Sequence, residues 1–184
     1  VLIRFFSTVV LCLTLACPAF AAPPDLARLR VDPTPVKNVH ELVQAGDLIV
    51  SGRTDSQYQS APTGVSLRQG KVLNYVQSFR VQRTWKGSAP QVIQLLTTGI
   101  EPLPDARDPL NLTYPGPLSE GEYVLFLKKV HGTNLYRLVG VWQGVYPVQG
   151  GRTIALRGVG FAELNGLALD QIAHTLQRLQ TPSR

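Results

Sequence analysis

GEYVLFLKK, residues 121 to 129, decides how this chain is read. A strand with one wet face alternates apolar and polar side chains, because successive residues point to opposite faces. This one runs Tyr123, Val124, Leu125, Phe126 and Leu127 without a break, then stops at Lys128 and Lys129. Both of its faces therefore need a cover. Near the end of the chain Leu167, Leu169, Ile172, Ala173, Leu176 and Leu179 recur at helical spacing, while Asp170, Gln171, Gln177 and Arg178 fall on the other side. That pattern predicts an amphipathic helix over 166–180. Its apolar stripe can cover one face of the strand, and the interior of a β-structure can cover the other.

Working outward, residues 47–53 form a short strand with an apolar middle. The stretch 72–85 alternates, with Tyr75, Phe79, Val81 and Trp85 on one face and Asn74, Ser78, Arg80, Gln82 and Thr84 on the other. This is the pattern of a half-buried antiparallel strand. Lys86-Gly87-Ser88 turns it into a third strand over 91–98. The opening stretch is the fourth, and a turn at 131–134 leads to a fifth over 135–143. Residues 55–71, polar and holding Pro62, Gly64 and Gly70, predict a loop or wide hairpin. Gly150-Gly151 between 145–149 and 152–156 predicts a tight hairpin, which Pro147 restricts to an edge. Thr34 as N-cap and Pro35 at the first helical position predict a short helix over 36–45, stopped by Gly46. Residues 22–33 read as a poorly ordered lead-in, and 34–184 as a single domain.

The first residues have a different character. Arg4 is the one charge before Asp25, an apolar run follows to Ala16, and Ala19-Phe20-Ala21 is a small-residue processing motif. This predicts a secretory signal peptide over 1–21, cut between Ala21 and Ala22. Both cysteines, Cys12 and Cys17, fall inside it, so the exported chain would hold together without a disulfide. A lipidated Cys17, from a faint lipobox at 14–17, is the alternative. The formal net charge is +6, and it is unevenly spread. Residues 48–98 carry six bases against Asp55. Residues 99–125 carry Glu101, Asp105, Asp108, Glu120 and Glu122 against Arg107. Residues 126–160 carry five bases and no acid. The body is basic and its five-proline loop at 99–121 is acidic, which suits either a solvated loop or a surface for an anionic partner.

The stretches GDLIVSG, FRVQRTWKGSAPQVIQLLTTG, GEYVLFL and YRLVGVWQGVYPV, in this order and spacing, resemble a broad group of exported bacterial proteins. Their domain is similar to the netrin-like barrel of the tissue inhibitors of metalloproteases, an OB-type fold. The resemblance covers residues 46–150 and rests on structural motifs. It implies a mainly β fold with flanking helices: a five-stranded OB-type barrel over 46–150, a hairpin over 145–156 and a packed C-terminal helix. The animal inhibitors hold their target's zinc through an N-terminal cysteine. The processed chain would have none, so no inhibitory residue carries over.

No catalytic set, metal site or cofactor is predicted. His40, His131 and His174 stand apart at no zinc-ligand spacing. Gly64-Val65-Ser66 lacks the second glycine of a nucleophile elbow. Asp105, Asp108 and Asn111 are oxygen-bearing but miss the spacing of a calcium loop. The most suggestive cluster is Phe79, Arg80, Arg83, Trp85 and Lys86, with Arg53 and Lys128 on neighbouring strands. Bases interleaved with aromatics on such a barrel can take single-stranded nucleic acid, but here the aromatics share the core face and the chain reads as exported. The candidate interaction surface is therefore Arg80, Arg83, Lys86 and Lys128, facing an anionic envelope polymer, a lipid head group or an acidic protein. The expected function is that of an exported, non-catalytic binding module of the periplasm or medium. The alternative is an enzyme acting on a cell-wall polymer through the carboxylates of the 99–122 loop.

Overall fold

Tyr123 to Leu127 are all buried, and exposure begins at Lys128. The computed structural model, which describes residues 24–180, shows what covers them. The expected signal segment, with Cys17 and the Ala21–Ala22 junction, lies outside the described residues. The opening stretch is β4 (Gly121–Lys129) of a mainly β fold. Before it come β1 (Leu48–Leu67), β2 (Gly70–Lys86) and β3 (Val92–Glu101). After it come β5 (Leu135–Leu138), β6 (Val145–Gln149) and β7 (Arg152–Thr153). The helices are α1 (Val39–Ala45), the single turn α2 (Leu110–Thr113) and the C-terminal α3 (Leu169–Gln180). Strands pair in the order β1-β2-β3-β5-β4-β6-β7, and β4 also pairs with β1. Five strands thus close into a ring. All its pairings are antiparallel except that of β3 with β5.

Strand alternation gives β4 to both sides of that ring. Tyr123, Leu125 and Leu127 join Leu48, Val50, Phe79 and Leu95 in one apolar cluster. Val124 and Phe126 join Ile49, Tyr146 and the helix residues Leu42, Ile172 and Leu176 in another. The first cluster fills the ring and the second lies under α1 and α3. Each buried Leu or Phe here contributes about 1.5–3 kcal/mol of transfer free energy, so two-sided burial makes β4 the centre of the fold. Tyr146 packs edge-on against Phe126, centroids 5.7 Å apart, and its hydroxyl accepts from the Phe161 amide at 3.1 Å.

Several expectations are corrected. Of the two readings of 55–71 the loop is overturned and the wide hairpin holds: residues 55–67 extend β1 along β2, with Pro62 opposite Leu73 and Leu67 opposite Gly70. β1 pairs with β4 only as far as Thr54, so beyond it β1 is an edge, where proline is tolerated. β3 runs on to Glu101 rather than stopping at Thr98. β5 ends at Leu138, not 143, because Gly140 and Val141 both take left-handed backbone (φ 61° and 54°) and turn the chain out of the extended region. Trp85 does not share the face of Phe79. Register shifts between β1 and β2 at Ile49/Val50 and Ser51/Gly52 break the alternation, and Trp85 packs in the cluster beneath the helices.

The helices also start later than predicted. α1 is capped by Asn38, whose Oδ1 accepts from the Glu41 amide at 2.8 Å. Val36 stays outside the helix because the Gln143 side-chain amide takes both of its backbone groups, at 2.7 and 2.9 Å. α3 begins after Leu167, whose amide and carbonyl are engaged by Thr153. The lead-in is ordered against the ring. Asn74, buried on β2, donates to the carbonyls of Leu26 and Leu29 at 2.7 and 3.0 Å, and Arg137 pairs with Asp32 at 3.3 Å. The predicted Gly150-Gly151 turn is present, with φ of 57° and 74°, values that favour glycine at both positions.

Candidate functional site

The ring's register sets basic residues side by side. Arg53 on β1 stands directly opposite Arg80 on β2, and on its other side opposite Glu122 on β4. Directly opposed residues share a face, and like charges there repel. Both arginines are exposed, and neither has a carboxylate within ion-pair distance among the described residues. With Thr54, Asp55, Ser78, Val92 and Glu120 they line an open cleft of 240 Å³. Two unpaired guanidiniums in one cleft present ten N–H donors in planar forks, suited to a carboxylate, sulfate or phosphate.

The other bases of the predicted surface are not with them. Arg83 pairs with Asp170 at the start of α3. Lys86 donates to the carbonyls of Val43 and Gln44 at 2.8 and 3.3 Å, closing the C-terminal end of α1. These two hold the helices to the ring. Lys128 is exposed, but it lies opposite Arg137 on β5. It is six residues along β4 from Glu122, the residue in line with Arg53, which puts it about 20 Å away. So of the four predicted residues Arg80 alone belongs to the cleft, and its partner is Arg53.

A second, larger cleft of 570 Å³ adjoins the first, with Ser78 lining both. Its polar residues are Gln57, Tyr58, Gln59, Ser78, Gln94 and Asn134, and no charged residue lines it. The Gln94 amide donates to the Ser78 hydroxyl at 3.1 Å. Tyr58 is 50% exposed and rests edge-on against the buried Tyr75, centroids 5.3 Å apart. Burial raises the Tyr75 hydroxyl well above the usual tyrosine range, and its hydrogen bond to Glu101 (2.8 Å) adds to this. Tyr75 is therefore a fixed, neutral support for the Tyr58 ring. Sequence reasoning missed this cleft because Gln57 to Gln59 lie in the stretch read as a loop or wide hairpin, with no register to say which strands flank it. Its one signal was an aromatic flanked by glutamines in a segment with no charge after Asp55.

The acidic residues of the 99–122 loop are dispersed. Glu101 accepts from Tyr75, Asp108 accepts from the Leu110 amide at 2.9 Å, and Glu120 lines the arginine cleft. The Asn111 side chain donates to the Asp105 carbonyl at 2.7 Å. The loop itself is tied down: Gln77 exchanges two hydrogen bonds with Leu118, and Trp142 donates to the Asn111 carbonyl at 2.6 Å. Among the described residues no group of three His, Cys, Asp or Glu side chains could hold a metal ion, and no helix is long and apolar enough to cross a membrane.

No protein-family model matches this chain, and no curated protein matches it.

Proposed function

We propose that this chain is an exported, non-catalytic binding module of a bacterial cell envelope, built on a netrin-like OB-type barrel, and that it holds an anionic group of its partner between Arg53 and Arg80. The observation that carries the binding reading is the opposed, exposed and unpaired guanidinium pair. The closed strand order β1-β2-β3-β5-β4-β1, with β3 and β5 the one parallel pair, supports the OB-type assignment. The charge-poor processing motif at 19–21 supports export. Of the loop carboxylates Glu120 alone lines the arginine cleft, where Asp55 of β1 joins it, so the enzymatic alternative, which needs two carboxyl groups across one bond, rests on that pair.

Retention on immobilised heparin tests this reading. The Arg53→Ser/Arg80→Ser variant elutes at clearly lower salt than the parent, since contacts of this kind weaken as the Debye length falls from about 10 Å at 0.1 M to about 3 Å at 1 M. Arg68→Ser/Lys71→Ser makes the same charge change on exposed β1–β2 positions and serves as the control. Equal loss in both variants would reduce the cleft to bulk charge. The enzymatic alternative is tested by incubating the protein with purified cell-wall polymer. Release of reducing ends that stops on Glu120→Gln would replace the binding reading with a catalytic one.

A further inference from the structure

Beyond Thr54 the long β1–β2 hairpin has one edge open. β1 pairs with β4 only up to Thr54, whereas its pairing with β2 runs on to Leu67. Two threonines show which backbone groups look outward. The hydroxyls of Thr54 and Thr63, both on β1, donate to the carbonyls of Ser78 and Val72 at 2.8 Å. Even-numbered residues of β2 therefore turn their carbonyls to β1 and odd-numbered ones turn to β3, since β2 pairs with β3 without a register shift. Gln59 and Ala61 stand opposite Val76 and Asn74 and face them. Tyr58, Ser60 and Pro62 stand opposite Gln77, Tyr75 and Leu73 and turn their backbone groups out. Pro62 fits this place, because its missing N–H falls on the open side. The N–H and C=O groups of Tyr58 and Ser60 and the carbonyl of Pro62 have no hydrogen-bond partner among the described residues, and all three residues are exposed.

We infer that this edge pairs with the same edge of a second copy of the chain, antiparallel and centred on Ser60. Regular pairing with β2 runs from Tyr58 to Pro62 and is broken by register shifts on either side. Centred on Ser60, that whole run meets itself. Ser60 exchanges both of its hydrogen bonds with Ser60 of the second copy, and each Tyr58 N–H reaches the Pro62 carbonyl opposite. The side chains agree with this register. Tyr58 is 50% exposed; its ring rests on Tyr75 of β2 and is open on the side away from it. Pro62 of the second copy covers that side, on the face that Tyr58, Ser60 and Pro62 share. Charge selects the occupant. From Ser56 to Leu67 the edge has no charged residue, in a chain of formal net charge +6. A two-fold pairing sets like residues about one centre, so a charged edge would repel its own copy. Charge is also a usual guard of an open edge, and here that guard is missing. The register shifts limit the contact to one short run, which closes as a dimer. The contact does not use Arg53 or Arg80.

The paired run is short, so association is weak, and sedimentation equilibrium follows it up to about 1 mM protein. The parent chain associates to a dimer and no further. Ser60→Pro removes the outward N–H, leaves Gln59 and Ala61 paired to β2, and weakens association by about tenfold or more. Ser60→Lys sets two like charges opposite each other and weakens it by a similar factor. Part of that second loss is recovered at about 1 M salt, where the Debye length is about 3 Å, and the Ser60→Pro loss is not. Both variants keep the parent's circular dichroism at low concentration, which separates loss of the contact from loss of the fold. In a Cys12→Ser/Cys17→Ser background, Ser60→Cys oxidises to a covalent dimer, because opposed Cα atoms in a hydrogen-bonded antiparallel pair lie about 5.5 Å apart, within disulfide reach. Ser66→Cys, on the same strand beyond the register shift, does not. A parent that stays monomeric at the highest concentration overturns the inference; an extended peptide that then protects the Tyr58 and Ser60 amides from hydrogen exchange gives the edge to a foreign strand instead. A dimer that survives both Ser60→Lys and Ser60→Pro is built by another surface and overturns it equally.

Discussion

Leu176 shows how much one residue of α3 carries. It is 2% exposed and belongs to the cluster that covers Val124 and Phe126. Leu176→Ala leaves a cavity and lowers stability by about 2–5 kcal/mol in urea unfolding. Leu176→Asp lowers it further, since an unpaired charge would be buried. A stable, fully helical Leu176→Asp variant would mean that α3 is not docked. Gly52 is constrained for a different reason. A Cβ there would lie 2.0 Å from the Arg80 carbonyl oxygen and 2.8 Å from the Phe79 ring, so Gly52→Ala forces β1 and β2 apart. The expected loss is about 1–3 kcal/mol, with weaker heparin retention because Arg53 and Arg80 flank that junction. At this scale the sequence placed Arg80 on an outward face correctly, but it could not tell Arg80 from Arg83 and Lys86. Counting by twos fails past a bulge, and whether a surface base is free depends on which distant carboxylate or carbonyl reaches it.

Elements were legible where their own residues carried the signal. The stripe of α3, the burial of β4 on both faces and the double-glycine hairpin are local patterns, and all three are present. Elements specified by remote partners were not legible. The lead-in has no apolar periodicity; it is ordered by Asn74, Arg137 and Gln143, which lie far along the chain. Asn74→Ala removes two of its hydrogen bonds, costs about 1–3 kcal/mol locally and exposes residues 24–36 to proteolysis while the ring stays folded. Unchanged proteolysis there would show that the segment is held by other means. The Asp32 carboxyl is held below its usual range by hydrogen bonds from Thr34 and, in addition, by Arg137. A depressed carboxyl contributes above its unfolded pKa and loses that contribution as pH falls through the folded value. Hydrogen-exchange protection of the lead-in is therefore level from neutral pH down to about 4 and falls below it. Asp32→Asn removes that acid dependence.

For the whole molecule, three buried tyrosines set an alkaline limit. Burial raises the hydroxyls of Tyr75 and Tyr123 and pushes Tyr146 up to about 12. A raised tyrosine contributes fully below the unfolded value of about 10 and loses that contribution as pH climbs through the folded one. Stability in urea is thus flat to pH 10 and drops between 10 and 12, in step with tyrosinate absorbance. Tyr146→Phe shallows the drop, and an unchanged slope would assign it to other groups. The sequence by itself determined the mainly β class, the C-terminal helix and the two-sided burial of β4, because each is written in the spacing of neighbouring residues. Only the tertiary structure decided that β4 returns to β1 to close the ring, that residues 55–67 extend β1, and that Arg83 and Lys86 are spent on the helices while Arg53 and Arg80 have no ion-pair partner among the described residues. Those outcomes depend on register between segments tens of residues apart, which one-dimensional periodicity does not encode.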